Sequence, residues 1–426
     1  MSAIDPEGGI QVLFPEVVKM RQRLYDVRID DVGSETFKQL EMSGINIKEG
    51  ARIAIAAGSR GIANIHLIIR AVSDFVKNRG AFPFIVPAMG SHGGATADGQ
   101  RKVLESYGIT EEYVKAPIKS SMEVVELPGD GIENKVYMDR FAFESDGTIV
   151  VNRVKVHTDF HSRFESGLMK MLVIGLGKHE QAKEIHKYGE YGLMNFIPTT
   201  ARQVIKYGKI LGGVGILENG YEETAIIRAA NIANYESTDL ELLEINRRTL
   251  PRIPVDQLDV LVIDEIGKNI SGVAMDTNVI GRTMNKFGEM PEKPRITNIV
   301  AITLSELSHG NANGFGIADV ITRKLLDKVN FKATYENSMT SQNIIGSKTP
   351  LTAETDRQAV EYALRTCGSV EPQNARLIRI ENTLKLSVFY ASKPVCDELG
   401  GKPGIEILGG YGSLCEGENL RGGAFR

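Results

Sequence analysis

The chain contains no tryptophan and only three cysteines, Cys367, Cys396 and Cys415, far apart and without a CxxC pair. An odd, scattered set of thiols argues against a disulfide framework and against a cysteine-built zinc or iron–sulfur centre. Positive charge is not in excess either: 50 basic against 54 acidic residues leave a net −4. That excludes the electrostatic footprint of a nucleic-acid or anionic-membrane binder. Long apolar runs are missing, and stretches such as IVAITL near residue 300 fall far short of the roughly 20 residues a membrane span needs. The opening MSAIDPEGGIQVLFPEVV has no basic segment leading into an apolar run, so it does not read as a signal peptide. The expected partner is a small molecule and the expected location cytoplasmic, with no nucleic acid and no membrane involved.

What is present is an ordinary globular composition, 42 % apolar and 24 % charged over 426 residues, long for one core and suited to two domains. Short β-branched runs alternate with helical patterns, which predicts an α/β class with mostly parallel sheets. Strands are expected at 52–58, 81–90, 148–156, 259–267, 296–304 and 376–383. Helices are expected at 62–80, where Ile62, Ile65, Ile69 and Val72 recur at helical spacing, at about 96–107, and around IADVITRKLLDKV and DRQAVEYALRTC. The stretch RRTLPRIPVDQ suggests a boundary near 252. The expected domains are thus 1–252 and 253–394, with the glycine-rich tail 395–426 returning to the first, and the active site is expected in the cleft between them.

Three places at predicted strand ends, where open α/β sheets bind ligands, carry candidate chemistry. Gly58-Ser59-Arg60-Gly61 ends a strand and opens a helix, so its amides and Arg60 suit a phosphate or carboxylate; it also reads as a plain turn. Gly90-Ser91-His92-Gly93-Gly94 sets a histidine between glycines, where an imidazole can exchange a proton near pH 7. The third is a thirty-residue window holding four of the seven histidines, His157, His161, His179 and His186, together with Lys170 behind Ser166-Gly167. On a helix, His157 and His161 would share a face like zinc ligands. A lysine among apolar neighbours is costly to bury unless paired or derivatised, although most lysines snorkel to solvent.

In combination these elements resemble the lactate racemase family. The resemblance rests on Ser59-Arg60, then Gly90-Ser91-His92, then His157 ahead of Ser166-Gly167-Leu168-Met169-Lys170, and last His186, sixteen residues beyond the lysine. It covers most of residues 50–190. It implies a nickel-pincer nucleotide, the Ni(II) pyridinium-3-thioamide-5-thiocarboxylic acid mononucleotide, bound covalently to Lys170, with His186 as nickel ligand. His92 and His157 would be the paired acid/bases. Gly58, Ser59, Arg60, Ser166 and Gly167 would hold the cofactor, Arg60 being also a candidate for the substrate carboxylate. His161 competes with His157 by its distance to Lys170, whereas the phrase Asn152-Arg153-Val154-Lys155-Val156-His157-Thr158 favours His157.

The implied activity is that of an isomerase, a racemase or epimerase of a 2-hydroxy acid. Removing the hydroxyl proton while the α-hydrogen leaves as hydride avoids a carbanion beside a carboxylate. One base is needed for each enantiomer, and the cofactor ring accepts the hydride. The chain departs from the family in its second half. In place of a Tyr-Gln and a lysine after Gly-Gly-x-Pro it has GKNISGVAMDTNVIGR and SHGNANGFG, whose Lys268, Asp276, Asn278, Arg282, His309, Asn311 and Asn313 are polar candidates or simply turn residues. Lys268, Asn278 and His309 are the expected substrate-binding residues among them. Leu168-Met169 also replaces the family's Gly-Gly. The expected substrate is therefore not lactate itself but a larger, more hydroxylated or dicarboxylic acid. Cofactor-maturation enzymes are implied partners, and a homo-oligomer is compatible. The competing readings are a zinc-dependent hydrolase or lyase built on the histidine cluster, and a non-catalytic binder of hydroxy acids or sugar acids.

Overall fold

The computed structural model describes residues 12–59, 61–158, 160–284, 291–341, 343–422 and 425. The chain divides into two compact units. One is Tyr25–Leu250; the other joins 12–24 to Pro251–Arg426. The first strand, β1 (Val17–Gln22), belongs to the latter.

Tyr25–Leu250 is built on five strands: β2 (Arg52–Ala57), β3 (Phe82–Pro87), β6 (Gly147–Arg153), β7 (Ile210–Glu218) and β8 (Thr224–Asn231). Between β3 and β6 a hairpin inserts, made of β4 (Val124–Leu127) and β5 (Val136–Asp139). The sheet order is β3-β2-β6-β7-β8, parallel except for β8. The run RIAIAA shows why β2 lies at its centre. Ile53, Ile55 and Ala57 join the core under helix Ile65–Asn78, while Ala54 and Ala56 face a second core with Leu168, Met171 and Leu172. A sheet covered on both faces needs such a continuous apolar run, and the alanines admit the segment that carries Lys170.

β7, ILGGVGILE, is a strand that local patterning does not reveal, because glycine weakens strands. The glycines make room. A Cβ on Gly213 would lie 2.7 Å from Tyr235 Cε2, and one on Gly215 2.5 Å from Leu242 Cδ1. Helix Tyr235–Thr249 therefore seats directly on β7.

In the other unit β9 (Gln257–Ile266), β10 (Arg295–Leu304), β11 (Val320–Thr322) and β12 (Leu351–Ala353) lie in the order β12-β11-β10-β9, all parallel. β13 (Leu377–Ile380) pairs parallel with the other side of β9; β14 (Val388–Ser392), β1 and β15 (Ile405–Ile407) follow antiparallel. Two expectations are corrected here. The N-terminal residues and the tail 395–426 do not join the first domain: β1 pairs with β14 and β15, and Leu414, Cys415 and Leu420 bury beside Val260 and Val262 of β9. The stretch IADVITRKLLDKV is not one helix, because β-branched Val320 and Ile321 pair with Val300 and Ala301 before the chain turns helical at Arg323–Leu326.

Among the described residues no helix is long and apolar enough to cross a membrane.

Candidate functional site

In Tyr25–Leu250 the chain steps from β2 to β3 on one side and then returns to place β6 on the other side of β2. Ligands of open α/β sheets bind at such a reversal, beyond the carboxyl ends of the strands. Gly58 and Ser59 leave β2 there, the loop to His92 leaves β3, and the segment to His157 leaves β6. Asn152 at the end of β6 fits against Gly58, where an added Cβ would overlap its side-chain oxygen.

Ser59 Oγ and His92 Nδ1 are hydrogen-bonded at 2.7 Å. Either atom can donate, so the contact suits either tautomer of the imidazole. Arg60 lies outside the described residues. The helix expected from residue 62 begins at Ile65, behind Asn64 in the left-handed region (φ 56°). Glu218 at the end of β7 already accepts from Ala63 N at 2.7 Å and pairs with Arg153. A carboxylate thus takes the amide of Ala63, two residues beyond the turn expected to hold an anion.

His157 and His161 lie in a loop, not on a helix, which removes the shared-face zinc pair. An antiparallel bridge between Lys155 and Ser166 closes that loop. Inside it Glu165 is buried and accepts from His157 N at 2.5 Å and from Arg247 at 2.8 Å. His161 Nδ1 lies 3.5 Å from the same carboxylate, with its side chain half exposed. The His157 ring packs on Phe160 at 4.4 Å, and the Lys170 ammonium lies 5.1 Å from the centroid of that same phenyl ring.

Lys170 ends a single turn, Leu168–Lys170, that widens into a π-type turn over Met171–Gly175, a form frequent at functional sites. The start of this segment is fixed by buried groups. Asp239 accepts from Leu168 N at 2.8 Å and Met169 N at 3.0 Å, Tyr235 donates to Leu168 O at 3.1 Å, and Asn152 donates to Gly167 O at 3.1 Å. A side chain at Gly167 would overlap the Asp239 carboxylate. The His92 loop meets the far end of the turn, with Gly90 N 3.4 Å from Gly175 O. His186 is the last residue of helix Lys178–His186. Burial, with the positive charge of Lys170 in addition, holds its imidazole below the usual range. A neutral imidazole is the metal-binding form, and an amine and an imidazole are the two groups that a lysine-tethered, histidine-ligated nickel group requires. The chemistry of Lys170 and His186 fits that group.

Among the described residues no three His, Cys, Asp or Glu side chains gather as a metal-holding set, those of the histidine window included. In the other unit, Lys268 bonds through its ammonium to Gly272 O, Asn278 is buried and donates to Asp276 at 3.0 Å, and His309 is exposed in the left-handed region. Arg282 is committed to three carbonyls and to Asp319 at 2.8 Å.

Phe160, Glu165 and Asp239 escaped the sequence reading. Asp239 had a signal: it shares one buried helix face with Tyr235, Leu242, Leu243 and Asn246, and an acid in such a row needs a partner. Burial pushes its carboxyl from 3.8 up to about 6, against the pull of the two amides. The raised value means that the folded state prefers the proton. The stability from this group is full below about pH 4 and is lost as pH rises through about 6, a change on the order of 3 kcal/mol. Asp239→Asn, which cannot titrate, is expected to be about 1–3 kcal/mol less stable at pH 4 through one poorly accepted amide and to lack that fall. Urea unfolding between pH 4 and 7 measures both; a fall as large as the parent's would assign it to another group.

The model of a family described as a domain of unknown function (DUF362) matches residues 55–248. Among solved structures, the lactate racemase apoprotein from Thermoanaerobacterium thermosaccharolyticum is similar at a TM-score of 0.53 and 10 % sequence identity, over 88 % of this chain and 94 % of that one. No curated protein sequence matches. The chain therefore has an α/β fold like that of lactate racemase.

Proposed function

We propose that the protein is a racemase or epimerase of a 2-hydroxy acid, dependent on a nickel-pincer nucleotide carried by Lys170. The observation that carries this reading is the convergence at one sheet's switch point. Lys170 and His157 share the Phe160 ring, His186 lies within the field of Lys170, and His92 stands on the loop packed against the Lys170 turn.

In this reading Lys170 provides the point of attachment and His186 the nickel ligand. When bound, the group supplies reversible hydride acceptance, which no side chain offers. The chain's own residues handle the proton. His92, oriented by Ser59, takes or returns the hydroxyl proton of one enantiomer, and His157, backed by Phe160, that of the other. The amphoteric Ser59 hydroxyl suits this work, since His92 must be base in one direction and acid in the reverse. His161, tied to Glu165 and half exposed, is the weaker candidate for the second base. Arg60 is assigned to the substrate carboxylate.

The test is production of the chain together with cofactor-maturation enzymes, followed by circular dichroism of single enantiomers of 2-hydroxy and aldonic acids. Decay of the signal is expected for at least one. A fully modified, nickel-loaded protein that binds these acids and turns none over would leave a binding protein instead.

A further inference from the structure

Under the loop that carries His92 lies a buried lysine that the proposed function does not use. Lys178 is fully buried, and its backbone adopts the left-handed region (φ 55°). Its ammonium donates to Pro87 O at the end of β3 and to Gln100 Oε1 at 3.1 Å, and it forms an ion pair with Asp139 Oδ2 at 3.1 Å. Gln100, also fully buried, uses the other end of its amide on the loop, donating to Gly90 O at 2.8 Å and to His92 O at 3.3 Å. An unbroken polar chain therefore runs from Asp139 at the end of β5 through Lys178 and Gln100 to the backbone of His92.

Such a chain is a costly way to fill space. Burial pushes Lys178 down and Asp139 up, and apolar residues of equal volume often hold a core as well or better. What apolar residues cannot do is grip chosen carbonyls. The grip here is reinforced from the other side. Thr96 caps helix Ala97–Ser106 through Gly99 N at 3.1 Å and donates to Gly93 O at the same distance. A Cβ on Gly99 would overlap Gly93 O. Lys178 also stands eight residues after Lys170 and eight before His186. One ammonium thus ties the segment bearing those two residues to the loop bearing His92.

We infer that Gln100, held by Lys178 and Asp139, is a positioning residue that sets His92 against the segment carrying Lys170 and His186. The inference rests on His92 being an acid/base of the proposed reaction. The test is Gln100→Glu, which keeps an acceptor for Lys178 but cannot donate to Gly90 O and His92 O. Gln100→Met is the second variant in case the glutamate fails to fold.

Two readouts are taken. In ¹⁵N-histidine NMR of the full chain, the His92 ring resonances and their titration midpoint are expected to move while those of His157 stay. In turnover, kcat is expected to fall about 10²-fold, the usual effect of misplacing a catalytic group by about 1 Å, with KM changed less than about threefold. Parent-like His92 resonances in a folded variant would overturn the inference, as would a parent-like kcat. A parent protein with no turnover would refute the proposed function separately, and the His92 resonances would still decide whether Gln100 places that ring.

Discussion

Lys170→Arg is expected to abolish turnover, a loss of at least about 10⁶-fold, the lower end of enzymatic rate enhancement, and to leave the fold intact. Arginine keeps the positive charge over the Phe160 ring and the charge that His186 feels. Its guanidinium, however, cannot form the thioamide that an amine forms. Asp239, Tyr235 and Asn152 hold the segment through backbone atoms of Gly167, Leu168 and Met169, so the substitution touches none of those contacts. Intact-mass and peptide-mass measurement of protein made alongside the maturation enzymes reads attachment directly. The parent's Lys170 peptide should carry the added nucleotide mass and the variant's should not. An unmodified parent peptide in active protein would remove Lys170 from the mechanism, whatever the variant does.

Local patterning reveals the strand ends that carry the candidate residues. RIAIAAG, AFPFIVPAMG and TIVVNRVKV are apolar runs broken by glycine or polar residues, and such breaks are where parallel strands stop; Ser59, His92 and His157 follow them. The strands themselves were readable because burial on both faces demands continuous apolar sequence. β7 was hidden for the opposite reason. Its glycines suit the close seat of helix Tyr235–Thr249, a tertiary need that no window around residue 213 displays. The same limit hid the supports of the site. Asp239 lies 70 residues from the Met169 amide it accepts from, and Lys178 lies 78 residues from the Gln100 oxygen it bonds. The two partners of each contact meet only through the sheet order. Domain membership failed likewise, since the pairing of β1 with β14 spans almost the whole chain.

His92→Ala and His157→Ala are each expected to slow interconversion by about 10²–10⁴-fold, the range of one positioned acid/base. Both directions should suffer in both variants, because each passage between enantiomers uses the two hydroxyl positions in turn. The double variant should be little slower than the slower single one, since groups acting as a unit are not additive. His161→Ala provides the contrast. Its side chain is half exposed and reaches the buried Glu165, which Arg247 and the His157 amide already engage, so its rates are expected to stay within about threefold of the parent's. Phe160→Ala should fall between these, because the phenyl ring lies against both His157 and the Lys170 amine. Rates measured from each enantiomer by circular dichroism separate the cases. If His161→Ala lost activity while His157→Ala kept it, the second base would be His161, and the Phe160 contact would no longer bear on proton transfer.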